Sequence, residues 1–146
     1  MAGTIEKLSG ITVYLALTSV IMTLINLISS YIVTIAVDET EVESSSADYQ
    51  TVKKFYFSKL DYPSWTKLKV LIELKHSTGE SPAYASVWID GERKLELSTS
   101  STTYENLEGE IDVSGLAKGS HLFELKLKTS SGVAYNRLLE VYGEVS

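Results

Sequence analysis

The sequence predicts an α+β protein, in which one long N-terminal hydrophobic α-helix precedes an all-β antiparallel sandwich of the jelly-roll or Ig-like type. Residues 8–37 are a run of thirty residues without a formal charge, which as a helix would measure roughly 45 Å. After Thr51 apolar residues alternate with polar ones, and turn residues return about every 8–12 positions. We therefore expect a hydrophobic helix in 1–37, a stalk in 38–50 and a sandwich in 51–146.

Small and polar residues recur along the uncharged run at spacings of four and three. These residues are Thr12, Ala16, Ser19, Thr23, Asn26, Ser30 and Thr34. A helical stripe with this period predicts self-association of the helix, with Asn26 pairing across the seam. The alternative is that the Ser and Thr side chains bond carbonyls of their own helix and nothing pairs. The uncharged surface suits a membrane anchor or a filament core, since membrane lipid and neighbouring helices both accept it.

The composition limits the partners and the chemistry. The net charge is −6 and no more than two Lys or Arg residues are adjacent, which argues against nucleic acid as a partner. No Cys is present, which excludes disulfides and thiolate metal sites. Asn and Gln together number only four, as expected of a heat-adapted protein. Lys7 before the uncharged run and acidic residues after it predict a cell-surface location, with the C-terminal domain outside.

The remaining elements follow from composition and period. Residues 38–50 are acidic and rich in Ser, which is typical of a solvated stalk. Alternation then predicts strands at 52–60, 67–75, 83–90, 92–98, 111–116, 121–128 and 133–145. The pair Asp90-Gly91 predicts a hairpin turn, and 130–132 predict another. Residues 98–110 are mostly polar, and we expect a long connection there.

Two resemblances add to these patterns. The passage VWIDGERKLEL, followed by YENLEGEIDVSGLAKGSHLFELKL, resembles galactose-binding-like and carbohydrate-binding jelly rolls. The matching residues are Ile89, Asp90, Gly91, Ile111, Asp112, Val113, Gly119, His121 and Leu125. This resemblance implies a jelly-roll fold far more than it implies a ligand. The layout of the whole chain is similar to that of archaeal type IV pilin-like proteins, including archaellins, and implies a filament with helices inside and β domains outside.

Residues with catalytic or metal-binding chemistry are few. His76 ends a strand, and His121 alternates inward with Phe123, as a core histidine would. No Ser–His–Asp spacing, phosphate-binding loop or zinc motif occurs, and we expect no enzyme activity and no cofactor. Acidic residues cluster near one turn, where either a Ca²⁺ loop or a solvated surface is consistent with them, and we favour the surface. They are Glu105, Glu108, Glu110 and Asp112.

Aromatic residues are the other candidates for contact with a ligand or partner. Trp65 lies in a predicted turn beside Tyr62, and exposed rings there would offer contact area at low entropic cost. The alternative is that Trp65 closes the core. We expect Trp88 to lie in the core, because it falls in the middle of a strand.

Taken together, these patterns predict a non-enzymatic structural protein of the cell surface, which assembles with copies of itself through its N-terminal helix into a pilus-like filament. The alternative is a membrane-anchored virion or envelope spike, whose sandwich binds a glycan, a receptor or an envelope protein. The hydrophobic segment and the sandwich are compatible with both.

Overall fold

The computed structural model describes residues 31–60 and 65–145, and those from Ile32 onward belong to one compact unit. This part of the chain consists of nine strands joined by turns and loops. They are β1 (Tyr31–Asp38), β2 (Val42–Ser44), β3 (Gln50–Lys59), β4 (Trp65–His76), β5 (Ala83–Ile89), β6 (Glu92–Thr99), β7 (Glu105–Asp112), β8 (Gly119–Lys128) and β9 (Ala134–Val145).

The strands form two sheets with the topology of a jelly roll. One sheet has the order β1-β9-β4-β7, with β2 also paired to β9, and the other has the order β3-β8-β5-β6. Strand β2 pairs with β9, β3 with β8, β4 with β7 and β5 with β6, all antiparallel. The chain therefore folds as one long hairpin wrapped into a sandwich, and the pairs β4–β9 and β5–β8 close the two sheets.

The core fills the space between the sheets and follows from the period-two pattern. In β4 the inward residues Leu68, Val70, Ile72 and Leu74 are fully buried, while their neighbours reach the surface. Phe123 of β8 stacks on Phe55 of β3, with ring centroids 4.6 Å apart. Burial of large apolar side chains along every long strand is the main stabilising contribution. The β-sandwich predicted from the alternation is thereby confirmed.

The predicted fold class, α+β with a long N-terminal helix, is wrong. The described residues contain no helix, and the end of the uncharged run forms strand β1, which pairs with β9. The length of the uncharged run favoured a helix. However, residues 32–35 read Ile-Val-Thr-Ile, and β-branched residues favour a strand where a neighbouring strand, here β9, is available for pairing. Residues 8–30 of the predicted helix lie outside the described residues. Within 31–60 and 65–145, no helix has the length and hydropathy to cross a membrane.

Two further segments differ from the predictions. Glu105–Asp112 form β7, although 98–110 were expected to be a connection. The alternation of apolar and polar residues in β7 is weak, because an inward position is occupied by Gly109. A larger residue does not fit there, since an added Cβ would lie 2.7 Å from the side chain of Leu95. Strand β2 lies within the predicted stalk. The hairpin at Asp90-Gly91 is confirmed, with φ angles of 51° and 80° that suit the twist of a two-residue turn.

Candidate functional site

On the outer face of the sheet β3-β8-β5-β6, three rows of polar and aromatic side chains cross strand β5. Their neighbours along each strand fill the core, so these side chains point away from it. The strand register gives the rows as Lys54–Glu124–Trp88–Arg93, Thr51–Lys126–Ser86–Glu96 and Lys128–Tyr84–Ser98. We call these three rows, together with Tyr49, the aromatic face.

Tyr49 contacts residues on two strands of the aromatic face, Trp88 of β5 and Glu96 of β6. It precedes β3 and its hydroxyl donates a hydrogen bond to Glu96 on β6, so the side chain spans the sheet. Its ring meets Trp88 edge-on, with centroids 6.2 Å apart. Burial, and then the hydrogen bond to Glu96, raises the pKa of Tyr49 to about 12. The hydroxyl therefore stays protonated at neutral pH and remains a donor.

Two lysines lie against the aromatic rings. The Nζ of Lys126 is 4.3 Å from the ring centroid of Trp88. The Nζ of Lys128 is 4.4 Å from the ring centroid of Tyr49 and 5.1 Å from that of Tyr84. These distances are within the range of cation–π attraction. The face thus combines flat apolar rings with ammonium donors at their centre and carboxylate acceptors at their edge.

A hydrogen bond to a buried serine fixes the indole of Trp88. Its Nε1–H donates to the Oγ of Ser86 at 2.7 Å, and Ser86 is completely buried although it belongs to the outward row. Trp88 itself is half-buried, with Val87 and Ile89 on the core side of the strand. The expectation that Trp88 lies in the core is wrong. Alternation showed that Trp88 and Val87 face opposite sides, but the pattern did not show which side is the core.

The other sheet carries a groove of about 580 Å³ on its outer face. Tyr142 and Leu71 supply its apolar surface, and Tyr142 donates a hydrogen bond to Glu140 at 2.5 Å. Glu108 and Glu110, two of the residues weighed for a Ca²⁺ loop, also line it. Lys69 is the cation among the lining side chains, 3.9 Å from Glu110. The groove is therefore predominantly acidic.

Among the residues that the structure describes, no group of His, Asp and Glu side chains is arranged to hold a metal ion.

The residues predicted for helix self-association are not brought together in the described part of the chain. Thr12, Ala16, Ser19, Thr23, Asn26 and Ser30 lie outside the described residues, whereas Thr34 is exposed in β1. Self-association through these residues stays a prediction.

The predicted contact residues Tyr62 and Trp65 have different outcomes. Tyr62 lies outside the described residues. Trp65 begins β4 and is half-buried, with its ring centroid 6.3 Å from that of Phe57. A Cβ added to Gly143 would lie 3.3 Å from Trp65, so this glycine leaves room for the indole. A role for Trp65 in binding a partner stays a prediction.

Each histidine organises loops at the ends of the strands. His76 is fully buried, and its Nδ1 accepts hydrogen bonds from the backbone of Thr78 and Gly79, which leaves Nε2–H to donate to the carbonyl of Ser131 at 2.6 Å. His121 donates from Nδ1 to Asp90 and from Nε2 to the Ala117 carbonyl, each at 2.6 Å.

Two acceptors around one ring favour the charged form of His121. The hydrogen bond to Asp90, followed by that to Ala117, raises the pKa of His121. In both histidines the polar atoms of the ring are engaged by loop and strand groups, so we assign them to the structure and not to a ligand.

Comparisons with known proteins support the fold. No family model and no curated protein matches the sequence. Among solved structures, the insecticidal delta-endotoxin Cry8Ea1 of Bacillus thuringiensis aligns with a TM-score of 0.51 and 11% identity, over 70% of this chain and 19% of that one. Latent PorU of Porphyromonas gingivalis aligns with a TM-score of 0.51 and 14% identity, over 81% of this chain and 13% of that one.

A weaker likeness, with a TM-score of 0.45 and 17% identity, is to the C-terminal domain of EclA, a sugar-binding protein, over 76% of this chain and 81% of that one. The chain spans less than a fifth of the two proteins with the higher scores, so each of those likenesses concerns one part of a much longer chain. At these identities the likeness is one of fold.

Proposed function

We propose that the sandwich is a non-enzymatic recognition module that binds glycan on the aromatic face and works at the cell surface, where glycans are displayed. The observation that carries the proposal is the position of Tyr49, Tyr84 and Trp88, three rings that lie on the outer side of a sheet and not in the core. Rings collected on that side give a ligand with flat apolar surfaces a place to stack.

The chemistry of a sugar suits this surface. A sugar ring presents C–H groups on its faces and hydroxyls around its edge, so it needs an apolar platform surrounded by donors and acceptors. Trp88 and Tyr84 offer the platform. Arg93 and Glu124 stand in the row of Trp88 and Lys126 lies over its ring, so these three residues supply the polar partners.

A glycan panel with the full-length chain tests the proposal. Binding is first detected on an array and then measured by titration calorimetry. Replacing Trp88 with Ala removes a central aromatic contact and should weaken binding at least about tenfold. The matched control is Tyr104→Ala, because Tyr104 lies on the opposite face, also under a lysine, with the Nζ of Lys75 at 4.6 Å.

Two results would overturn the proposal. One is the absence of binding across a panel of plant, bacterial and animal glycans. The other is binding that Trp88→Ala and Tyr84→Ala leave unchanged. If Tyr142→Ala abolished binding in that second case, the site would be the acidic groove of the other sheet.

A further inference from the structure

The aromatic face carries more cations than carboxylates, although the whole chain has a net charge of −6. Its cations are Lys54, Arg93, Lys126 and Lys128, and its carboxylates are Glu96 and Glu124. We infer that the ligands of this face are glycans that carry anionic groups, as uronates or sulfates do. The inference rests on the proposed function and names the class of glycan.

Both carboxylates already have partners. Glu96 accepts hydrogen bonds from Tyr49 and from Arg93, the latter at 3.0 Å. Glu124 accepts one from Thr51 at 2.7 Å and lies 3.9 Å from Lys126. Within 31–60 and 65–145, no carboxylate lies within ion-pair distance of Lys54 or Lys128. Among the described residues, two positive charges on this face therefore have no negative partner.

The uncompensated charge of Lys128 lies where a sugar would stack. Its Nζ is over the rings of both Tyr49 and Tyr84. A neutral sugar that stacks on these rings beside the ammonium gains no charge contact with it. A sugar with a carboxylate or sulfate can pack its carbons on the rings and keep the ammonium as a partner for its anionic group. The geometry therefore favours the charged glycan over its neutral counterpart.

The opposite face provides a contrast. There Lys75 lies over Tyr104 and Tyr135, at 4.6 and 4.9 Å, in nearly the same arrangement. As on the aromatic face, a tyrosine donates to a carboxylate, Tyr104 to Glu41 at 2.7 Å, and an arginine is paired, Arg137 with Glu73. The groove on that sheet, however, is acidic. A lysine over two tyrosines is thus common to both faces, whereas the surplus of cations is found on the aromatic face.

The test uses pairs of glycans that share a backbone and differ in charge. Oligogalacturonate and its fully methyl-esterified form are one pair, and a sulfated galactan and its desulfated form are the other. Titration calorimetry with the full-length chain should give at least about tenfold tighter binding of the charged member of one pair, and this preference should decrease as salt is raised. The two pairs separate carboxylate from sulfate as the preferred anion.

Variants place the effect on the aromatic face. Lys128→Gln and Lys54→Gln keep the polar character of each side chain and remove its charge, and each should reduce the preference about threefold or more. Lys75→Gln is the matched control on the opposite face and should leave the preference unchanged.

The outcomes separate the inference from the proposed function. Equal binding of both members in both pairs, or tighter binding of the neutral members, overturns the inference, while the proposed function stands if Trp88→Ala still weakens that binding. Binding of charged glycans that survives both Trp88→Ala and Tyr84→Ala would be simple ion exchange and overturns both.

Discussion

Lys59 gives the sharpest test of how this sandwich is held together. Its side chain points inward at the end of β3, and the ammonium donates hydrogen bonds to three carbonyls of the loop after β7. These are the carbonyls of Val113 at 2.5 Å, Ser114 at 2.9 Å and Leu116 at 2.7 Å. The ammonium of Lys59 therefore holds the loop 113–118, which lies between β7 and β8 and is not part of a sheet. We predict that Lys59→Met destabilises the protein by about 2–3 kcal/mol.

The magnitude follows from what each carbonyl loses. Methionine keeps most of the apolar stem, so the packing of the methylene groups changes little. The Val113 carbonyl is buried and would keep only the hydrogen bond from the Leu116 N–H at 3.1 Å, so it loses the bond from the charged donor, which contributes about 1.5–3 kcal/mol. Those of Ser114 and Leu116 are only partly buried and can bind water instead. The matched control is Lys67→Met. Lys67 is exposed, and its ion pair with Glu110, at 3.6 Å, is exposed as well. Such a surface ion pair contributes about 0.5 kcal/mol.

Urea unfolding of the full-length chain, followed by tryptophan fluorescence, measures both variants. The same slope with a lower midpoint is expected for Lys59→Met. If the free energy of unfolding of Lys59→Met falls by no more than that of Lys67→Met, the loop does not depend on the ammonium of Lys59.

Two other predictions concern the loops. Because the pKa of His121 is raised by Asp90 and then by the Ala117 carbonyl, its stabilising effect is complete below the ordinary His value near 6.5 and is lost as pH rises through the raised value. Relative to His121→Gln, the wild type should lose about 1 kcal/mol between about pH 6 and pH 9, measured by urea unfolding. Gly132→Ala should cost about 2 kcal/mol or more, since φ is 68° and the added methyl would lie 2.8 Å from His76 Cε1. Gly91→Ala, with φ of 80° and open space around it, should cost less in the same assay.

Each of these has a clear opposing result. Parallel pH profiles for the wild type and His121→Gln would mean that the ion pair with Asp90 adds nothing. Equal losses for the two glycine variants would mean that backbone strain alone, and not crowding by His76, sets the requirement for glycine at 132.

The period-two pattern predicted most of the sandwich, because inward and outward residues differ clearly in strands such as β4 and β8. It failed at β7, where Glu residues alternate with Leu107 and Gly109, and a glycine gives no signal of burial. It failed at β1 for another reason. An uncharged segment suits a helix and a strand equally well, and the strand that pairs with it, β9, is about a hundred residues away in sequence.

The candidate site was harder to predict than the fold. Trp88 was expected in the core, because it falls in the middle of a strand and the alternation did not show which of the two faces is buried. Tyr49 lay in the predicted stalk, and only folding brings its hydroxyl to Glu96, 47 positions later. The alternation of Glu124, Lys126 and Lys128 with buried residues was visible in the sequence. That signal, combined with Tyr84 and Trp88 at outward positions of another strand, could have indicated the face.

The most direct test of the glycan site uses the two tryptophans of the chain. In a ¹H–¹⁵N NMR spectrum each indole N–H gives one signal, and Trp65→Phe assigns them. The full-length protein is titrated with oligogalacturonate and separately with its methyl ester. We expect the Trp88 signal to move with either bound glycan, since its indole N–H lies on the aromatic face against Ser86. The Trp65 signal should stay in place. A shift of the Trp65 signal alone, with that of Trp88 unmoved under saturating glycan, would mean that glycan does not bind on the aromatic face.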